Sequence, residues 1–182
     1  MNERLETERL LLRKPERTDI PALVTGLGDW DVAKNLGRVP FPYSDADAHE
    51  FFDRLEARSP DQFDLTFGIT VKVDGSYIGG CGVHLRENGE FELGYWIGKP
   101  QWGRGYATEA ARAVVQAAFA EPRIGTITAG YYFDNPPSGH VLVKLGFVPC
   151  GEEMRECRAR GHAVRCHAML LTRQAFQLKH AA

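Results

Sequence analysis

Gly103 and Gly105 stand in the stretch Trp102-Gly103-Arg104-Gly105-Tyr106-Ala107-Thr108. An apolar run, Phe91–Ile97, precedes it, and a long run of helical periodicity, residues 107–119, follows. Strand, glycine turn and helix in that order build a site for an anion. The first turn of a helix leaves four backbone N–H groups without partners, and the helix dipole adds positive charge at that end. Glycine lets the main chain approach a ligand with no Cβ in the way. A phosphate is the natural occupant. A P-loop would carry Lys and Ser/Thr after the second glycine, where Tyr106-Ala107 stands. A dinucleotide fingerprint needs Gly or Ala where Thr108 stands, and an acid about twenty residues on. Position 125 is Gly125 and the next acid is Asp134, so a nucleotide-binding module is disfavoured.

The run Trp-Gly-x-Gly-Tyr-Ala-Thr-Glu-Ala, residues 102–110, resembles the acyl-CoA pyrophosphate loop of the GNAT superfamily of N-acetyltransferases, in its RimJ/RimL-like branch. Gly105 and Ala107 match the loop's two small positions. Its first position falls on Trp102, with Gln101 one residue early, which departs from the family-wide Arg/Gln. Asn135-Pro136-Pro137-Ser138, followed by a helix ending Lys144-Leu145-Gly146-Phe147, is similar to a second family pattern. Thr7-Glu8-Arg9-Leu10-Leu11-Leu12-Arg13 resembles the branch's N-terminal start.

The resemblance implies acetyl-CoA as acetyl donor, with no metal. Backbone N–H groups of Gly103, Arg104, Gly105, Tyr106, Ala107 and Thr108 would hold the pyrophosphate, and the Arg104 guanidinium could add a charge-assisted contact. The strand backbone from Trp96 through Ile97 to Gly98 would line the pantetheine arm. Asn135 and Ser138 would face that arm and the thioester. Many relatives carry a Tyr seven positions after the Asn, which protonates the departing thiolate; Leu142 stands there, and Ser138, one turn earlier, is the candidate in its stead.

Only a neutral amine attacks a thioester. A lysine amine titrates near about 10.4 and an α-amine near about 7.7–8.0, so the former needs a base most. Glu92 is the candidate base, on the strand beside the crevice, with His84 and His140 as alternatives. The acceptor implied is a primary amine: a protein N-terminal α-amine, or a small amine such as a polyamine or antibiotic. A non-catalytic acyl-CoA-binding sensor would carry the same loop. The acceptor-selecting residues are expected in residues 30–43 and the last hairpin, around which Arg155, Arg158, Arg160 and Arg165 cluster. These could favour an acidic acceptor; a solvated edge that blocks strand addition is the expected role.

The elements that must position these groups follow from period and punctuation. Residues 9–13 read as a strand, and Thr18 as the cap of a helix to Leu27. Ser44-Asp45-Ala46-Asp47 has capping-box form before a helix to about Arg58. Strands at 65–73, 76–85 and 90–97 meander through two-residue turns at Asp74-Gly75 and Asn88-Gly89. The helix after the loop returns to a strand at 124–133, and a helical crossover favours a parallel pair. A helix from Asp134 to about Lys144 is capped by Gly146. Strands at 148–158 and 163–171 then form a hairpin around Gly161, and a short helix from Thr172 to Lys179 ends the chain. The expectation is one α+β domain over residues 1–182. Its sheet is mixed and mostly antiparallel with one splayed parallel pair, flanked by helices, which is the GNAT-like arrangement.

The bounds agree. At 182 residues, 43% hydrophobic and 25% charged, the chain suits one globular domain. A formal charge of −2 and a pI near 6.3 argue against a nucleic-acid partner. No apolar run approaches a membrane span, and the first residues carry no secretory signal pattern. Cys81, Cys150, Cys157 and Cys166 include no Cys-x-x-Cys pair and no zinc spacing, as expected of reduced cysteines in a cytoplasmic monomer or homodimer.

Overall fold

A computed structural model describes residues 4–59 and 63–180; the remainder of the domain read over 1–182 lies outside the described residues. One eight-stranded sheet runs in the order β1-β2-β3-β4-β5-β6-β8-β7. Its strands are β1 (Arg4–Glu6), β2 (Leu10–Arg13), β3 (Asp64–Val71), β4 (Tyr77–Leu85), β5 (Phe91–Ile97), β6 (Thr126–Tyr132), β7 (Val148–Cys157) and β8 (His162–Thr172). The helices are α1 (Ile20–Leu27), α2 (Trp30–Ala33), α3 (Asp45–Glu56), α4 (Tyr106–Phe119), α5 (Pro136–Leu145) and α6 (Arg173–His180). Every strand pairing is antiparallel except β5 with β6.

Strand alternation divides the side chains between two faces. Leu93 and Ile97 of β5, Val83 of β4 and Ile127 and Ala129 of β6 pack with Val114 and Ala118 of α4 and Leu142 and Leu145 of α5 in the main core. Trp96 and Tyr77 lie on the other face, against Leu23 and Leu27 of α1 and Phe52 of α3. That second face is only partly roofed, and its uncovered strip carries Glu92 and Gly94.

Several local expectations need correction. β1 is an extra edge strand, whose register with β2 runs from Arg4↔Arg13 to Glu6↔Leu11. Thr18 caps nothing: a short 3-10 turn, Arg17–Asp19, leads into α1, and the Asp19 carboxylate accepts the Glu16 N–H at 2.8 Å and both Arg13 guanidinium nitrogens. The β3–β4 connection is a loop over residues 72–76, closed by Val71 N–H to the Ser76 carbonyl at 2.9 Å. The β4–β5 connection spans residues 87–89, with Gly89 at φ 83° and the Arg86 N–H donating to Glu90 O at 2.8 Å. The Ser44–Asp47 capping box is present as read, and Gly146 ends α5 at φ 103°.

Candidate functional site

Helix α4 begins at Tyr106, with Gly105 as its N-cap at φ 80° and no side chain capping it. The first helical hydrogen bond runs from Glu109 N to Gly105 O at 3.1 Å. The N–H groups of Tyr106, Ala107 and Thr108 therefore have no acceptor inside the helix. Gly103 is also left-handed, at φ 75°, and a Cβ there would meet nothing within 4 Å. The end of the helix is thus open, uncapped and rich in donors, which fits a pyrophosphate. The Trp102 indole N–H donates to Ile97 O at 2.6 Å and braces the loop on the end of β5. The Arg104 side chain is exposed, while its carbonyl accepts from Arg9 Nη1 at 2.9 Å.

The parallel pair meets at one register position, Glu92↔Thr128, beside which Thr128 Oγ1 donates to Phe91 O at 3.2 Å. Beyond it β5 runs on to Ile97 and β6 to Tyr132 without further pairing, and the gap between them leads to the loop. The Gly98 N–H is spent on Ile78 O at 2.8 Å, and its carbonyl accepts from Gln101 N–H at 2.9 Å. N–H groups alternate between the two sides of a strand, so with Gly98 turned to β4 it is the Ile97 N–H that faces the open side of β5. The Trp96 side chain lies over Gly80 and reaches Gly26 of α1.

Asn135 occupies the N-cap of α5, yet its side chain makes no capping bond, and its amide has no hydrogen-bond partner among the described residues. Ser138 is bound to a residue that sequence reading missed. The Tyr95 hydroxyl donates to Ser138 O at 2.9 Å and lies 2.8 Å from Ser138 Oγ. Burial pushes the Tyr95 phenol well above its usual range. The signal in the sequence was alternation alone, since Tyr95 shares the helix-covered face with Leu93. Leu142 is fully buried in the main core.

On the other face one row crosses four strands: Asp64, His84, Glu92 and Thr128 stand opposite one another on β3, β4, β5 and β6. Glu92 Oε1 accepts from Arg155 Nη1 at 2.5 Å, and Oε2 from Arg86. The Arg155 guanidinium lies over Gly130, where a Cβ would stand 2.8 Å from its Cζ. Asp64 Oδ1 is 2.5 Å from His84 Nδ1, while Oδ2 accepts from Thr66 Oγ1 at 2.6 Å and from Arg58. His140 is exposed on α5, the helix packed on the opposite side of the sheet.

Of the four arginines of the last hairpin, Arg158 and Arg165 are exposed, as a solvated edge requires, while Arg155 and Arg160 are partly buried. Arg155 holds Glu92 and Glu153, Arg165 holds Glu152, and Arg160 pairs with Asp134 at 2.7 Å. Arg160 Nε also donates to Lys34 O at 2.8 Å, and the Arg158 N–H to Gly37 O at 3.0 Å. These bonds pin the hairpin to the 30–43 segment, so the two stretches expected to select an acceptor form one wall beside the row.

Comparison with known proteins agrees with this geometry. Residues 9–148 match the acetyltransferase (GNAT) domain. The chain is 30% identical over 176 residues to the uncharacterized N-acetyltransferase p20 of Bacillus licheniformis, covering 96% of this chain and 98% of that protein. Two solved structures share its fold. The ribosomal-protein-S5-alanine acetyltransferase of Vibrio fischeri superposes with a TM-score of 0.80 at 16% identity, over 96% of this chain and 99% of that one. The spermidine N-acetyltransferase of Vibrio cholerae, in complex with CoA and spermine, gives 0.77 at 18% identity, over 93% and 99%. With its splayed parallel pair, its uncapped glycine loop and this match over most of its length, the chain belongs to the GNAT acetyltransferase family.

Proposed function

We propose that the protein transfers the acetyl group of acetyl-CoA to a primary amine, and that the acceptor is a protein N-terminal α-amine, as in the RimJ/RimL branch. The observation that carries the donor side is the uncapped, glycine-led N-terminus of α4 at the mouth of the β5–β6 gap. Backbone amides of residues 103–108 would hold the pyrophosphate, Ile97 the pantetheine arm, and the unpartnered Asn135 amide its polar groups. Acetyl-CoA supplies an acyl group already activated as a thioester. With the Tyr95 proton turned to Ser138 Oγ, the serine hydroxyl is free to donate its own to the leaving sulfur. A thiol titrating near about 8.5 leaves readily at neutral pH, so a strong acid at position 142 is not required.

The charge pattern supports the acceptor. A polyamine is a chain of cations and needs carboxylates without partners. Beside the open strip Asp64, Glu92, Glu153 and Asp134 each carry an arginine. A peptide N-terminus brings one amine, a fair fraction of it neutral at pH 7. Thiol release from acetyl-CoA, measured against N-terminal peptides and spermidine, tests the reading. Release with peptides above spermidine is expected; preference for spermidine overturns the acceptor. Binding of acetyl-CoA without release to any amine would make the protein a sensor.

A further inference from the structure

We propose that His84, oriented by Asp64, is the group that takes the proton from the acceptor amine; this rests on the acetyltransferase reading above.

A carboxylate only accepts hydrogen bonds, so the 2.5 Å contact to Asp64 Oδ1 places the imidazole proton on Nδ1. Nε2 of the neutral ring is then a bare acceptor, and it has no hydrogen-bond partner among the described residues. The ring leans over Gly82, where a Cβ would come within 2.8 Å of Nε2. Gly82 stands opposite Gly94 on β5, and a Cβ on Gly94 would meet nothing within 4 Å. Nε2 thus hangs above a glycine floor, two register positions past the β5–β6 pairing at Glu92, where the strands part. Asp64 is well suited to hold it. Burial alone would raise its carboxyl, but hydrogen bonds from His84 and Thr66 and the Arg58 charge bring it below the usual value, so it stays ionised.

Glu92 is the other candidate on this strip, and both its oxygens already hold guanidinium groups. The charged groups around His84 are Asp64 on β3, Arg58 after α3, Glu92 on β5 with Arg86 just after β4, and Arg155 and Glu153 on β7. In the transfer, the amine nitrogen bonds to the acetyl carbon as the carbon–sulfur bond breaks. Before that attack His84 Nε2 takes one proton from the acceptor's ammonium form and passes it to solvent, and the second proton that the nitrogen sheds on becoming an amide balances the one the thiolate takes up. Asp64 is a positioning residue, which fixes the tautomer.

Three measurements test this on the intact protein: histidine 15N NMR without ligand, acetyl-CoA Kd, and the pH profile of kcat/KM for His84→Gln and Glu92→Gln. The neutral His84 ring is expected to carry its proton on Nδ1. His84→Gln, whose amide can still donate to Asp64, is expected to lose about tenfold or more in kcat/KM at pH 7. That deficit should shrink as rising pH neutralises the amine, with Kd within about twofold of wild type. Glu92→Gln is expected to show no such pH-dependent deficit. A proton on Nε2, an undiminished His84→Gln rate, or a pH-dependent loss in Glu92→Gln instead overturns the proposal. Wild-type protein that acetylates no amine sinks the acetyltransferase reading and this one together; turnover indifferent to His84 sinks this one alone.

Discussion

Arg9 and Glu109, 100 residues apart, close a bridge between the start of β2 and the first turn of α4. Arg9 Nε donates to Glu109 Oε2 at 2.7 Å, its N–H to Oε1 at 2.9 Å, and Thr7 Oγ1 to the same oxygen at 2.6 Å. Nη2 also lies 2.6 Å from Glu109 Oε2, and the remaining guanidinium nitrogen, Nη1, donates to the carbonyl of Arg104 at 2.9 Å. The N-terminal motif therefore braces the phosphate loop from behind. Glu109→Gln and Arg9→Ala are expected to weaken acetyl-CoA binding by about tenfold, because a loosened loop must be ordered on binding. Calorimetric Kd values on the two variants check this, and unchanged affinity in both would show that the loop holds its shape alone.

The same bridge makes a pH prediction. Burial would raise the Glu109 carboxyl, but its bonds to Thr7 and Arg9 hold it below the ordinary value of 4.5. A group whose folded pKa is depressed stabilises the fold above its unfolded pKa and ceases to as pH falls through the folded value. The melting-temperature gap between wild type and Glu109→Gln should be constant above about pH 5.5 and close as pH falls below about 4.5. A gap that widens in acid would contradict the assignment.

Gly105→Val should remove the thermal shift that CoA produces. At φ 80° a β-branched residue is strained by on the order of 1–3 kcal/mol, and relief of that strain moves the amides of Tyr106 and Ala107. Without ligand the variant should melt roughly 2–10 °C lower. Normal CoA binding by a folded Gly105→Val protein would mean that the loop serves another purpose.

Ser138→Ala should lower kcat by about tenfold or more with little change in acetyl-CoA Kd. Tyr95→Phe should fall in the same direction, since the phenol loses its hold on both Ser138 oxygens. If Ser138 instead only supports α5, the alanine variant keeps its kcat and loses melting temperature. Steady-state kinetics and thermal denaturation on both variants separate the two outcomes.

The glycine turn before a helix, the Ser44–Asp47 capping box and the single parallel pair were legible because each rests on local spacing. What was not legible depends on partners far away in sequence or on a slip of one residue. Tyr95 and Ser138 are 43 positions apart and Arg155 and Glu92 are 63, so neither pairing leaves a local trace. β1 carries two charges in three residues and shows no apolar alternation. The row on the open face was hidden by turn length. A two-residue turn at Asp74-Gly75 sets Leu85 opposite Asp64, and one at Asn88-Gly89 sets Leu93 opposite His84. The longer β3–β4 loop with the bulge between Ile69 and Thr70, and the longer β4–β5 turn, shift each register by a net one, bringing Asp64, His84 and Glu92 into line.

The single register contact between β5 and β6 divides the sheet into two plates joined along a nearly unstitched seam. One plate is the antiparallel meander β1–β5, and the other is β6 with the closing hairpin. Across the seam runs one long strut, Arg155 to Glu92, anchored over the bare backbone of Gly130. A molecule lying in that seam would act as a rivet, tying plates that the chain itself leaves loosely fastened. Occupancy of the cleft and mechanical continuity of the sheet would then become one variable: a molecule holding a donor there would be stiffest while charged and would slacken as the spent carrier left.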